Sequence, residues 1–146
     1  MRRHPVGVSV VTVDLEGQRL GVTVASLVSV ALEPPLVCIS IAHQAALHEL
    51  LREAGGFAVS LLSAEQEPLA QHFARGVPPI AMWIGVEIRE GARGPLLEGA
   101  LGWLECAVHA EHDAGDHTLF VGLVERAEEG PPGAPLMRLD GRYQSP

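Results

Sequence analysis

Val6–Gly7–Val8–Ser9–Val10–Val11–Thr12–Val13, then Asp14–Leu15–Glu16–Gly17–Gln18, then Gly21–Val22–Thr23–Val24–Ala25–Ser26–Leu27–Val28–Ser29–Val30 is the stretch that decides the fold. Valine recurs at 6, 8, 10, 11 and 13, and β-branched residues stand at 22, 23, 24, 28 and 30, a composition that favours extended chain over helix. The polar run between them, with Gly17, predicts a hairpin. Glu33–Pro34–Pro35 stops the second run. Leu36 to Ile41 follows as a nearly continuous apolar strand, suited to burial on both faces.

Beyond this point the period changes. Ala46, Leu47, Leu50 and Leu51 form a helical stripe, so a helix is expected over Ala45 to Ala54, closed by Gly55–Gly56. Phe57 to Leu62 returns to strand. Ser63 has the character of an N-cap with Gln66 at the capping-box position, opening a helix that runs to Ala74 through Leu69 and Phe73. Arg75 to Pro95, rich in Gly and Pro, reads as a loop around short pieces. Ala100 to His112 and Thr118 to Glu125 read as strands flanking a turn at Gly115–Asp116. A Gly/Pro loop over Glu128 to Pro135 leads to a short final strand and turn, Leu136 to Tyr143. About seven strands and two helices, mostly separated by turns, predict a mainly β fold: an antiparallel barrel with helices on one side. Residues 1–146 carry no linker or internal repeat and read as one domain.

The chain is 47% hydrophobic, enough for a true core and for an apolar subunit interface besides. Its formal net charge of −8 excludes most nucleic-acid binders, since the one basic cluster is Arg2–Arg3. Lys and Asn are both absent. Cys38 and Cys106 lie in apolar strand-like runs without a CxxC spacing, which predicts two buried, reduced thiols. There is no secretory h-region at Met1 to Pro5 and no unbroken apolar run of about 18 residues, so a cytoplasmic protein outside the membrane is expected.

The sequence lacks GxGxxG after a strand, GxxxxGK[ST], GxSxG and HExxH. His109, His112 and His117, with Asp113 and Asp116, form the densest set of metal-ligating types. His109 and His112, three apart on one strand, face opposite sides, so no metal site is expected there and scattered surface histidines are the simpler reading. Gly21–Val22–Thr23–Val24–Ala25–Ser26 offers small side chains, hydroxyls and open backbone N–H groups to a flat or anionic ligand. An ordinary strand would carry the same residues. Gly115–Asp116–His117–Thr118 is either a turn that presents a histidine to a site or a solvated hairpin tip.

In order along the chain, the segments VGVSVVT (6–12), GVTVASLVSVALEPPLV (21–37), GGFAVSLLSAEQEPLAQHFA (55–74), PLLEGALGWLEC (95–106), GDHTLFVG (115–122) and Gly141–Arg142–Tyr143 resemble the flavin reductase-like family. That resemblance implies a Greek-key split β-barrel of the FMN-binding type, forming a homodimer with flavin near the subunit interface. The implied activity is NAD(P)H-dependent reduction of FMN or FAD, with NADH or NADPH as reductant and a monooxygenase component as a further partner. Carried over by position, Thr23, Val24, Ala25 and Ser26 would hold the isoalloxazine and ribityl. Ser40, Ile41, Ala42 and His43 would lie beside ribityl and phosphate, and Phe73 and Ala74 close to the flavin. His117 would dock the nicotinamide, and Arg142 and Tyr143 would stand at the same pocket. The chemistry implied is hydride transfer between two cofactors aligned by the protein, which explains why no acid–base pair or nucleophile stands out.

The chain departs from the family pattern in two places. Where relatives carry a Ser and then a Ser or Thr as phosphate ligands, this chain has Ala45 and Leu47, leaving His43, Arg75 or the helix N-terminus to compensate. The charged stretch after the second helix is replaced by Gly76–Val77–Pro78–Pro79–Ile80–Ala81–Met82–Trp83, where Trp83 either stacks on a cofactor ring or packs on the barrel. Two other readings stay open: a flavin-binding electron-transfer protein without reductase activity, and a degenerate barrel serving as an interaction module.

Overall fold

The valine-rich opening forms two strands rather than the single one expected. In the computed structural model, which describes residues 1–146, β1 (Val6–Gly7) pairs with a strand from the chain's end, while β2 (Ser9–Leu15) enters the main sheet. Val8 pins the corner: it is buried, donates its N–H to Leu136 O and accepts from Leu62 N–H. The second run is also interrupted. β3 (Gln18–Val24) and β4 (Val28–Leu32) flank Ala25–Ser26–Leu27, where the chain leaves one edge of the sheet for the other.

β5 (Pro35–Ala42) leads into α1 (Ala46–Ala54) and β6 (Gly56–Leu61). Gly55 terminates α1 with φ of 68°, a conformation that favours glycine. The Ser63–Gln66 capping box is present, but it closes a 3-10 turn at Ala64–Gln66, which then passes into α2 (Glu67–Ala74). The expected loop from Arg75 holds a short third helix, α3 (Pro79–Met82), and a two-residue ladder of β7 (Ile88–Arg89) with β8 (Leu96–Leu97). β9 (Gly102–Ala114) and β10 (His117–Glu129) form the long hairpin, and β11 (Met137–Leu139) and β12 (Arg142–Gln144) join β1 in a small sheet.

The main antiparallel sheet has the order β3-β2-β6-β9-β10-β5-β4, which carries a Greek-key crossing at β3→β4 and at β5→β6. It curls without closing. Ser26 spans the split: its Oγ accepts the Ser40 N–H at 3.0 Å and donates to Ser40 O at 3.3 Å. Alternation on β5 puts Val37, Ile39 and Ile41 inside and leaves Leu36, Cys38, Ser40 and Ala42 half-exposed, so this strand is buried on one face and not on both. β2 is the doubly buried strand. Val11 and Val13 join Phe57, Val59 and Phe120 in the barrel, and Val10 packs outward with Phe73 of α2 and Met82 of α3. α1 plugs one barrel end with Leu47, Leu50 and Leu51. Both cysteines are free thiols; Cys106 is buried, whereas Cys38 faces outward and is half-exposed. No helix is long and apolar enough to cross a membrane.

Candidate functional site

The split between β3 and β5 opens into a cleft of about 420 Å³. Thr23, Val24, Ala25 and Ser26 form one wall, Ser40, Ile41 and Ala42 the opposite wall, and His117 stands at the side, with Val22 and Ala45 completing the lining. Eight residues scattered over three stretches of sequence thus meet at one place. The topology explains the meeting: β10 pairs with β5 in a register that sets His117 opposite Ala42, while Ser26 draws the end of β3 against Ser40.

A second cavity of about 290 Å³ shares Val22 and Ala45 with the first. Phe73 and Ala74 lie here, together with Leu20, Gly21, Ala46, Leu47 and the Gly76–Pro79 turn. His43 lines neither cavity. Its N–H bonds to Asp116 O at 2.9 Å, and its Nε2 lies 3.5 Å from Asp113 Oδ1, so it clamps the β5–α1 loop to the β9–β10 hairpin. Arg142 and Tyr143 are also outside the cleft within one chain. They sit in β12, where Tyr143 packs beside the cluster of Val8, Leu136 and Phe73.

Peptide groups along an edge strand alternate between facing the neighbour and facing the open side. On β3 the Gly21 N–H faces the open side and bonds Met82 Sδ at 3.2 Å; Arg19 C=O also faces it and accepts from Trp83 Nε1 at 3.0 Å. By the same alternation Thr23 presents its N–H and C=O to the cleft. The Thr23 hydroxyl is used elsewhere, donating to Ala70 O at 2.7 Å and fastening β3 to α2. His117 Nδ1 lies 2.6 Å from Asp116 Oδ1, which fixes the ring and leaves Nε2 for a ligand. The hydrogen bond from His117, and then its charge, hold the Asp116 carboxyl below its ordinary range.

These features fit an isoalloxazine: a ring-sized slot, small walls at Ala25 and Ala42, and an unpaired peptide edge at Thr23 that matches alternating donors and acceptors on a heterocycle. They fit a phosphate less well. Neither cavity is lined by an Arg. The two side chains expected to compensate are engaged, His43 with Asp113 and Arg75 with His72 Nδ1 at 3.4 Å. Leu47, where the family resemblance led one to expect a hydroxyl, is buried in the barrel core. Only the α1 N-terminus, without a side-chain cap at Ala45, remains near the second cavity.

Sequence reasoning missed His48. It is buried on α1, shares a 2.7 Å hydrogen bond between Nε2 and Thr118 Oγ1, and holds Glu49 Oε1 at 2.9 Å from Nδ1. A polar residue amid the apolar stripe of Leu47, Leu50 and Leu51 was the available signal.

Residues 1–146 match the family model described as flavin reductase like domain. The chain is 39% identical over 144 residues to the reductase component of 4-hydroxyphenylacetate 3-monooxygenase from Thermus thermophilus, covering 99% of this chain and 91% of that one. It is 38% identical over 154 residues to an NADH:FMN oxidoreductase of Rhodococcus qingshengii, covering 100% of this chain and 78% of that one. Among solved structures, the NADH:FAD oxidoreductase SgcE6 of Streptomyces globisporus in complex with NAD and FAD fragments superposes with a TM-score of 0.92 at 38% identity, covering 97% of this chain and 86% of that one.

Proposed function

The chain belongs to the flavin reductase-like domain family, and from that premise we propose that it oxidises NADH and reduces FMN or FAD bound in the β3–β5 cleft. The observation that carries the proposal is the slot between Thr23–Ser26 and Ser40–Ala42, with His117 in its lining. When bound, the nicotinamide and the flavin supply the hydride donor and acceptor. The protein's part is alignment. The Thr23 peptide and the small walls orient the flavin ring, Ser26 holds the two walls at their spacing, and His117, steadied by Asp116, orients the nicotinamide. No proton needs to move through a protein side chain.

The weak phosphate provision suits flavin that arrives and leaves as a substrate. Reduced flavin released in this way would serve a monooxygenase component; the Thermus relative is itself the reductase component of a monooxygenase. A cytoplasmic setting agrees with two free thiols. A homodimer is supported by the outer face of β4, β5, β10 and β9, where the cross-strand rows Val28–Cys38–Val121–Ala110 and Ala31–Leu36–Leu123–Ala107 are apolar. The test is NADH oxidation by the purified protein with and without added flavin. Turnover only in the presence of flavin is expected. Flavin binding without NADH oxidation would leave an electron carrier, and absence of both would refute the assignment.

A further inference from the structure

His48 is a buried titratable side chain for which the proposed hydride transfer has no use. On α1 its ring packs edge-on against His43 and Phe120, with centroids 5.3 Å and 5.5 Å apart. Both ring nitrogens are engaged: Nδ1 lies 2.9 Å from Glu49 Oε1, and Nε2 lies 2.7 Å from Thr118 Oγ1. Arg52 Nη1 also donates to Glu49 Oε1, at 3.1 Å, so this oxygen is an acceptor. In the neutral ring Nδ1 therefore carries the proton, and Nε2 accepts the Thr118 O–H.

Thr118 follows His117 on β10. Neighbouring strand residues point to opposite faces, so Thr118 is buried while His117 lines the cleft. His117 also forms the end pair of both β10 ladders, opposite Ala42 on β5 and Ala114 on β9. A ladder end frays unless something pins it. Asp116 orients the His117 ring but stands exposed in the hairpin turn, so it does not fix the strand. The Thr118 hydroxyl pins this end from the buried side. Asp113 Oδ1, 3.5 Å away, is a weaker partner for it than His48 Nε2 at 2.7 Å.

We propose that His48 is a positioning residue for the nicotinamide: through Thr118 it fixes the end of β10 from which His117 reaches the cleft. The proposal rests on the flavin reductase reading. Steady-state kinetics and thermal melts are measured side by side on four variants. Thr118→Val removes the hydroxyl and keeps the shape, whereas Thr118→Ser keeps the hydroxyl and loses a buried methyl. The KM for NADH rises about threefold in Thr118→Val, with a smaller change in the KM for flavin, and recovers toward wild type in Thr118→Ser although Tm falls there too. A merely structural role would make the KM follow Tm. Two isosteres separate the ring nitrogens. His48→Gln sets its amide near the Nε2 position and keeps a partner for Thr118; His48→Asn sets it near Nδ1 and does not. The KM for NADH therefore rises in His48→Asn as it does in Thr118→Val, and rises less in His48→Gln. In a His117→Ala background neither Thr118→Val nor His48→Asn raises it further. Equal KM values for NADH in His48→Gln and His48→Asn, or a rise that persists without His117, overturn the proposal. Should Thr118→Val fail to fold, the two His48 variants decide by the same comparison. Failure of the underlying reading has a different signature: wild-type protein that oxidises no NADH with any flavin.

Discussion

Ser26→Ala tests whether the split of the barrel is held by one side chain. The hydroxyl accepts the Ser40 N–H at 3.0 Å and donates to Ser40 O at 3.3 Å, and no backbone ladder joins β3 to β5 there. Its removal deletes two hydrogen bonds and leaves a half-buried N–H to find water. At about 0.5–1.5 kcal/mol for a net hydrogen bond, and with water partly replacing the lost partner, the total is about 1–2 kcal/mol. For 146 residues the unfolding entropy is roughly 0.3 kcal/mol per degree, so Tm should fall by about 3–7 °C. Ser29→Ala, exposed on β4, should change Tm by about 1 °C or less and serves as the control. Scans at one fixed protein concentration keep any dimer equilibrium constant. The walls of the cleft would also lose their fixed spacing, raising the KM for flavin about two- to tenfold. A Ser26→Ala protein with wild-type Tm and wild-type flavin KM would refute the role assigned to the bridge.

His117→Ala should raise the KM for NADH about two- to tenfold in steady-state assays while changing the KM for flavin less, because His117 lines the cleft with Nδ1 held by Asp116 and Nε2 left for a ligand. Gly21→Ala puts a methyl 2.9 Å from the Phe73 ring, so urea melts should show a loss of about 1–3 kcal/mol and the second cavity should change shape. Burial pushes the Cys106 thiol up to about 12, so a thiol reagent at pH 8 should label Cys38 slowly and Cys106 only after unfolding. The sign for stability follows: the unfolded thiol ionises first, so stability should fall as pH rises above the ordinary value of 9.0 toward about 12.

The strand-rich fold, the helix at Ala46–Ala54 and the capping box at Ser63–Gln66 were legible because each depends on local chemistry: β-branched runs, a helical stripe, a side-chain cap. The breaks at Val8 and at Ala25–Leu27 were not, since both are set by partners far along the chain, Leu136 for one and Ser40 for the other. β5 was misread as doubly buried because an apolar run looks the same whether its outer face meets protein or solvent. Thr23–Ser26 and His117 were ambiguous on residue chemistry alone, and Ser40–Ala42 were reached only through family resemblance. Spacing alone does not reveal that a register pairing His117 with Ala42 will close one side of a slot. His43 was displaced from the cleft for a similar reason: its partner Asp113 stands 70 residues further on and is brought to it by the β9–β10 hairpin.

An unpaired sheet edge is ordinarily a liability, because its free peptide groups invite another strand. On β3 that edge is covered piece by piece. Trp83 takes Arg19 C=O, Met82 takes Gly21 N–H, and the Thr23 hydroxyl ties the strand to α2. The cover stops at the Thr23 peptide, where the sheet splits and Ser26 crosses. The helices after β6 therefore do two things at once: they protect the edge and confine its remaining hydrogen-bonding capacity to the slot. Such a site needs no titrating side chain. It also makes α2 and α3 part of ligand recognition without any catalytic group on them, so Met82→Ala, which frees the Gly21 N–H to water, should loosen flavin selectivity before it alters turnover, a difference visible as a narrowed spread of kcat/KM across riboflavin, FMN and FAD. A spread as wide as wild type, with Gly21 amide exchange accelerated, would show that the covered edge plays no part in selection.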